Sequence, residues 1–160
     1  MQKEHLFKLT TEWTGNQGSG TSNYRAYSRD YSLLVEHKVS IEGSSVPEFR
    51  GDKSKHNPED LLLGSLSSCH LLWYLHLCAE AGVVVLEYTD NATGIMVETP
   101  DGGGHFTEVT LNPNVRVADA SMVEMANSLH KKANSLCFIA NSVNFPVYHK
   151  PCSFFQIFNN

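Results

Sequence analysis

The longest apolar stretch of the chain lies between Asn57 and Gly82 and has the sequence NPEDLLLGSLSSCHLLWYLHLCAEAG. Its apolar side chains surround the whole helical circumference, which predicts a helix buried within its own subunit or against a partner. Asn57 is a favourable N-cap, and Pro58 suits the first helical position. Gly82 is typical of the residue that follows the last turn of a helix. The pattern therefore predicts one long, central helix.

Apolar residues at spacings of three and four predict a second helix that begins near Ala120. Ser121 and Glu124 have the spacing of a capping box at its start. We expect its exposed side to carry His130 and the two lysines that follow it. The expected apolar face consists of Met122, Met125, Ala126, Leu129, Ala133 and Leu136.

Segments rich in β-branched and aromatic residues predict strands before, between and after the two helices. Before the long helix they cover residues 5–14, 24–35 and 39–41, and a glycine-rich turn follows the first of them. Between the helices they cover residues 83–89, 95–99, 106–111 and 115–117, and Pro113 is expected to end the third of these. The last strands are expected at residues 143–148 and 152–158. This order predicts a single domain over residues 1–160, of the α+β class, with mostly antiparallel strands.

Charge and hydropathy exclude several partners. The formal net charge is -5, from 12 basic and 17 acidic residues, and no basic run is present, so we expect no nucleic-acid partner. The apolar run from Leu71 to Leu77 is interrupted by His76 and is too short to cross a bilayer, so we expect no membrane association. The N-terminal residues lack the apolar region of a secretory signal, which favours a cytoplasmic location.

Four cysteines carry the candidate chemistry of the chain. In a cytoplasmic protein they are expected to be reduced rather than to form a disulfide framework. Neither a C-x-x-C nor an H-E-x-x-H motif is present, so we expect no metal and no bound cofactor. The four residues are Cys69, Cys78, Cys137 and Cys152.

Cys69 is the strongest candidate for a reactive thiol, because the small residues around it leave space for a substrate on one side of the helix. Cys137 lies at the end of the second helix, where a break in the chain brings it within possible reach of Cys69. The alternative is that Cys69 is an inert core residue, as buried cysteines often are. Cys78 is nine positions beyond Cys69 and is expected on the opposite side of the helix. For Cys78 and Cys152 the inert interpretation is favoured.

Two groups of residues resemble the OsmC/Ohr family of osmotically inducible and organic hydroperoxide resistance proteins. The first group is Asn57-Pro58-Glu59, the LL-x-small-x-x-small-small-Cys pattern that ends at Cys69, and Glu80-Ala81-Gly82. The second is Cys137 with the residues FIANS after it, where the family commonly has a Cys-Pro-Val-Ser-like run. The resemblance extends over nearly the whole chain and implies an OsmC-like fold and an intertwined homodimer.

The resemblance also implies a function. It points to a thiol-dependent peroxidase that reduces organic hydroperoxides in a stress response, with Cys69 as the peroxidatic and Cys137 as the resolving cysteine. The expected intermediate is a Cys69 sulfenic acid, which condenses with Cys137 to a disulfide. An external dithiol or lipoyl-type reductant is expected to reopen that disulfide.

Only a thiolate attacks a peroxide, so a cation is expected near the reactive sulfur. Arg50, just ahead of the long helix, is the first choice for the activating arginine, and Arg25 and Arg29 are alternatives. Glu59 matches the glutamate of the family and is expected to hold the guanidinium.

Ten residues of straight helix separate Glu59 from Cys69 by about 15 Å along the axis, so one guanidinium cannot contact both. Either the helix breaks near Gly64-Ser65, or the arginine–glutamate pair comes from a second subunit.

Two other classes of function remain open on the sequence alone. One is a non-catalytic OsmC-like protein that binds a small apolar or lipoyl-type ligand in the same pocket. The other is a cysteine-dependent transferase or hydrolase, which needs a general base near Cys69. His70 is the nearest candidate base, but a packed or surface histidine is the favoured interpretation of it.

Overall fold

The computed structural model describes residues 3–156, and the chain divides into two compact units that meet in sequence between Leu61 and Leu62. The single-domain organisation stays a prediction. The last residues of the strand predicted at 152–158 lie outside the described part of the chain.

The first unit contains one antiparallel sheet. Its strands are β1 (Thr10–Trp13), β2 (Tyr31–Leu34) and β3 (Ile41–Gly43), in the order β1-β2-β3. A short 3-10 turn over Pro47–Phe49 precedes the long helix.

The strand predicted from Tyr24 onwards is wrong at its start, because residues 24–26 form a turn, Tyr27 makes only an isolated bridge to Asn16, and β2 begins at Tyr31. The guanidinium of Arg29 donates to the carbonyl oxygens of Tyr24 and Tyr27, at 2.8 and 2.7 Å. Those carbonyls therefore bond locally rather than to a neighbouring strand.

Helix α1 spans Pro58–Glu80, and both of its predicted ends are confirmed. The side chain of Asn57 accepts the backbone N–H of Asp60 at 2.7 Å, as an N-cap does. Gly82 has a φ of 72°, and the Val83 N–H donates to the Cys78 carbonyl at 2.9 Å. These bonds form the Schellman motif that the glycine favours.

Within this subunit only one stripe of α1 is buried, so the subunit alone does not enclose the helix, and burial of the rest against a partner stays a prediction. Leu72, by contrast, is 68% exposed. By length and composition alone α1 is apolar enough to cross a membrane, but core helices of soluble proteins share this property, so the observation is weak. The buried stripe repeats every four residues and consists of Leu66, His70, Tyr74 and Cys78.

The second unit contains two three-stranded sheets with the orders β4-β7-β9 and β5-β6-β8. The β4–β7 and β5–β6 pairs are antiparallel, whereas the β6–β8 and β7–β9 pairs are parallel. Pro113 opens β7 instead of ending the preceding strand, which is a position that proline tolerates. The strands are β4 (Val85–Asp90), β5 (Thr93–Glu98), β6 (Gly104–Leu111), β7 (Pro113–Val117), β8 (Val147–His149) and β9 (Cys152–Phe154).

Two buried clusters join α1 to these sheets. Leu66 contacts Val109 and Leu111 of β6. About two to three turns further along α1, Tyr74 and Cys78 belong to the second cluster. Its other buried members are Val83, Val115, Val117, Ala126 and Ala133.

Helix α2 spans Val123–Leu136 and follows a 3-10 turn over Ala120–Met122. The predicted capping box is wrong, because Asp119 caps the turn by accepting the Ser121 N–H at 2.8 Å. An aspartate one turn earlier offers the same acceptor to the unpaired N–H groups.

The predicted faces of α2 need two corrections. His130 is fully buried rather than exposed, and Met125 is 50% exposed rather than buried. The buried residues Ala126, His130 and Ala133 follow the spacing of one helical face, which is rotated from the expected one. The α+β class with two helices and mostly antiparallel strands is confirmed, and each sheet of the second unit also contains one parallel pair.

Candidate functional site

Cys69 and Cys137 form a thiol pair. Cys69 lies on α1, and Cys137 is the residue at which α2 ends. The Cys137 thiol lies beside Cys69, close enough for Cys69 to influence the pKa of Cys137. The structure therefore brings together two cysteines that are 68 positions apart in sequence.

The two members of the thiol pair differ in access to solvent. Cys69 is partly exposed, whereas Cys137 is buried. Cys137 leaves the helix with an extended backbone, and its sulfur accepts the Ala140 N–H at 3.4 Å. The backbone turn after α2 therefore keeps the Cys137 sulfur buried, whereas the Cys69 sulfur stays accessible to a reactant.

Burial raises the pKa of the Cys137 thiol to about 11, and its hydrogen bond to Cys69 adds to the shift. Loss of water disfavours the thiolate, and a thiol that donates a hydrogen bond keeps its proton. Cys137 is therefore protonated at neutral pH, which leaves Cys69 as the sulfur available for attack.

The glutamate and the arginine that were predicted to activate Cys69 are not brought together within this subunit as the two thiols are. Helix α1 is continuous through Gly64 and Ser65, which excludes a helix break there, the first of the two alternatives. Glu59 and Cys69 are separated by about 15 Å along a regular helix. Within the described residues of the first unit, Glu59 forms no ion pair with Arg50.

The three candidate arginines all belong to the first compact unit. Arg50 is exposed and has a left-handed φ of 65°. Arg29 lies 4.2 Å from the ring centroids of both Tyr24 and Tyr27, in addition to its bonds with their carbonyls. The Arg25 backbone N–H donates to the Asn23 side chain at 2.9 Å. Which arginine activates Cys69, and from which subunit, stays a prediction.

The remaining thiols lie in other environments. Cys78 is buried in the core, and burial raises its pKa. Cys152 is exposed at the start of β9. No cluster of three or more metal-ligating side chains occurs within residues 3–156.

A second pair of side chains links the helices beside the thiols, and sequence reasoning missed it. His70, the residue after Cys69, lies 3.0 Å from His130 of α2, measured from Nε2 to Nδ1. His149 of β8 lies next to His70, with ring centroids 5.9 Å apart. The signal was the four-residue spacing from Ala126 to His130, which places the histidine on the alanine face.

Burial lowers the pKa of His70 to about 4, with a further contribution from His149 and an opposing one from Asp90. Burial also lowers the pKa of His130 to about 3, reinforced by the two other histidines. Both rings are therefore neutral at physiological pH, and each has one nitrogen that donates and one that accepts.

Comparison with known proteins places the chain in a family. Residues 51–150, more than half of the sequence, match the model of the OsmC-like protein family. The chain belongs to this family, which confirms the resemblance seen in its motifs.

Individual relatives agree with this assignment. The uncharacterized protein YmaD of Bacillus subtilis strain 168 is 27% identical over 145 residues, 88% of this chain and 87% of that protein. An OsmC-like protein of unknown function from Vibrio cholerae is 28% identical with a TM-score of 0.82, over 94% of this chain and 99% of that one. An organic hydroperoxide resistance protein from Elizabethkingia anophelis is 19% identical with a TM-score of 0.67, over 96% and 100%. The last likeness shows the fold alone, and the OsmC-like fold is confirmed.

Proposed function

We propose that this protein is a thiol-dependent peroxidase that reduces organic hydroperoxides. The observation that supports the proposal is the contact between a partly exposed Cys69 and a buried, protonated Cys137. A peroxidase of this type needs one sulfur that the substrate reaches and a second sulfur that waits beside it.

The proposed reaction has two steps. The Cys69 thiolate attacks the terminal oxygen of R–O–O–H; the O–O bond breaks, and the leaving alkoxide takes up a proton to become the alcohol. The Cys137 thiol then attacks the Cys69 sulfenic acid, forming the disulfide and releasing water. A dithiol or lipoyl-type reductant restores both thiols, at the cost of its own oxidation to a disulfide.

The thiolate needs a positive neighbour, and the proposal assigns this role to Arg50, or to Arg25 or Arg29, held by Glu59. Because α1 is continuous, Glu59 of the same subunit is too far along the helix to share a guanidinium with Cys69. We therefore propose that the site is completed in a homodimer. The exposed Leu72 on α1 is consistent with an apolar surface that a second copy covers.

The substrate class follows from the side chains around Cys69. Leu66, Leu72 and Trp73 make this part of α1 apolar, so we expect alkyl and aromatic hydroperoxides to react faster than hydrogen peroxide. A clear preference for hydrogen peroxide would contradict this.

One equivalent of cumene hydroperoxide added to the reduced protein tests the chemistry. We expect the wild type to lose the mass of two hydrogen atoms and to give a Cys69–Cys137 crosslinked peptide. Cys137→Ser should instead gain one oxygen at Cys69, and Cys152→Ser, the matched control, should behave as the wild type.

An unchanged mass with both thiols free would reject the peroxidase. That outcome favours a non-catalytic member of the family that binds a small apolar or lipoyl-type ligand. Gel filtration tests the homodimer separately, since a fully active monomer would remove the need for a second subunit.

A further inference from the structure

The histidine pair, His70 and His130, is an unusual feature of the interior. Both side chains are fully buried. Their ring planes differ by 6°, and their centroids are 5.3 Å apart with nitrogens at 3.0 Å. The centroid distance exceeds the nitrogen distance by about two ring radii, so the rings meet edge to edge in nearly one plane. This is the geometry of a well-aligned N–H···N hydrogen bond.

Helix α1 holds His130 at a second point. The ring of Tyr74, four residues after His70, is stacked on His130 with centroids 3.9 Å apart and planes within 11°. One side chain of α1 therefore contacts the edge of the His130 ring, and another contacts its face. Together they restrict both the position and the rotation of that ring.

The other side chains on the face of α2 that contacts these rings are small. Ala126 and Ala133, four residues before and three after His130, are fully buried and have short side chains. The histidine pair joins α1 to α2 by a direct hydrogen bond between side chains. A rotation or slide of either helix breaks it and leaves buried imidazole nitrogens without a partner.

Each helix of this pair also carries one of the two thiols. Cys69 directly precedes His70 on α1, and Cys137 ends α2 two turns after His130. We propose that His70 and His130 are positioning residues: their hydrogen bond fixes α1 against α2 and so keeps Cys69 within bonding distance of Cys137. The inference rests on the thiol chemistry of the proposed function and adds residues that do not touch the substrate.

Because both rings are neutral, the hydrogen bond between them depends on the relative position of the two nitrogens and not on charge. A single proton lies between His70 Nε2 and His130 Nδ1, so the bond is lost when either nitrogen moves. Amide side chains distinguish these positions. A glutamine amide reaches about as far as Nε2 of histidine, whereas an asparagine amide reaches about as far as Nδ1.

Four uncharged variants follow from this difference in reach. His70→Gln and His130→Asn put an amide where the bonding nitrogen was, and they should keep the hydrogen bond. His70→Asn and His130→Gln put the amide at the wrong distance, and they should lose it. All four are made in a Cys152→Ser background, which removes the exposed thiol.

The readout is the equilibrium between the dithiol and the Cys69–Cys137 disulfide in buffers of reduced and oxidised glutathione, measured by mass spectrometry. Two protein thiols are oxidised as one glutathione disulfide is reduced to two thiols. We expect His70→Gln and His130→Asn to remain within about twofold of the wild type. His70→Asn and His130→Gln should shift toward the dithiol by about tenfold, which corresponds to about 30 mV. Equal behaviour of all four variants would overturn the inference.

A double variant covers the case in which a mismatched amide prevents folding. His70→Leu combined with His130→Leu removes both partners, which leaves no unpaired nitrogen and is expected to fold. It should show the same shift toward the dithiol, and an equilibrium equal to that of the wild type would reject the positioning role.

The measurement uses no peroxide, so the two proposals fail separately. A wild type that forms the crosslink in glutathione, with the expected order of variants, but consumes no peroxide supports the positioning role and rejects the peroxidase. A peroxidase whose variants all behave alike keeps its function and loses the positioning role. Absence of any crosslink in the wild type rejects the positioning role as well.

Discussion

The thiol pair and the histidine pair start from adjacent residues of α1 and connect to the same helix, yet they differ in nearly every other respect. In the thiol pair one member is partly exposed, whereas both histidines are fully buried. Burial keeps Cys137 protonated by raising its pKa and keeps His70 and His130 unprotonated by lowering theirs. The same physical cause therefore yields neutral groups in both pairs.

This comparison shows what distinguishes a reactive pair from a structural one. Both pairs consist of groups that can carry chemistry, but only Cys69 is accessible to a reactant. A buried pair without access contributes packing and orientation. Residue type alone does not distinguish these roles. Cys69 and His70 are consecutive residues whose side chains point about 100° apart around the helix axis, so one is accessible and the other is buried.

The largest expected effect concerns the accessible member. Cys69→Ser should reduce hydroperoxide consumption to the background rate, because a serine hydroxyl is not ionised at neutral pH and is a poor nucleophile toward peroxide. Steady-state peroxide consumption with a dithiol reductant measures the loss. Cys78→Ala removes a thiol from the same helix, and its activity should remain; equal losses in both variants would contradict the assignment.

The next largest effect concerns the stability that the buried pair supplies. His130→Ala leaves a cavity against Tyr74 and an unpartnered His70 nitrogen, so we expect it to lower the free energy of unfolding by about 2–4 kcal/mol. Urea unfolding followed by circular dichroism measures this change. His76→Ala, at an exposed position of α1, is the control and should be nearly unchanged. A small effect at His130 would show that the core tolerates the loss of the bond.

A third prediction uses the pH dependence of stability. The folded pKa values of His70 and His130 lie below the unfolded value of 6.5, so the unfolded chain binds protons first as the pH falls. The stabilisation is complete above pH 6.5 and is lost as the pH falls toward about 4 for His70 and about 3 for His130. The groups that face the pair are Asp90, which raises the pKa of His70, and His149, whose own pKa burial lowers.

Urea midpoints measured between pH 7 and pH 5 should therefore decrease, with a slope that corresponds to uptake of about two protons. The His70→Leu/His130→Leu variant should show a much flatter profile in the same range. Two parallel profiles would mean that other groups control the acid sensitivity.

The smallest expected effect is at Asp90, whose charge raises the pKa of His70. Its carboxylate accepts the Ser67 hydroxyl at 2.5 Å and the Asn112 N–H at 2.7 Å. Asp90→Asn keeps one acceptor and removes the charge, so we expect a loss of about 1 kcal/mol in unfolding free energy. Glu124→Gln, on the exposed side of α2, is the matched control for loss of one carboxylate. Thermal unfolding of both variants checks whether Asp90 is more than a surface charge.

Sequence reasoning predicted α1 well because its ends carry local signals. Asn57 and Gly82 act through bonds to residues within five positions, and such bonds need no information about the rest of the fold. The pairing of Cys69 with Cys137 was implied by the family resemblance, and the residues themselves offered only the position of Cys137 at the end of the second helix. Nothing in either local sequence shows that the two sulfurs meet.

The histidines were harder to predict, because burial of a polar side chain depends on a partner far away in sequence. His130 is followed by two lysines, and this local context is typical of an exposed face. Its partner is 60 positions away. The strand predicted around Tyr24 was wrong for a related reason, because it also depends on a side-chain contact that the local pattern does not show. The Arg29 guanidinium bonds to the Tyr24 carbonyl oxygen, which a neighbouring strand would otherwise use.

The four-residue repeat on α1 also determines how the second unit is supported. Each step of four residues advances about 40° beyond a full turn, so the buried stripe from Leu66 to Cys78 turns gradually around the helix axis. Its early part faces β6, and its later part faces β7 and α2. Both sheets of the second unit thus pack against the same helix. We expect them to unfold in one cooperative transition rather than one after the other.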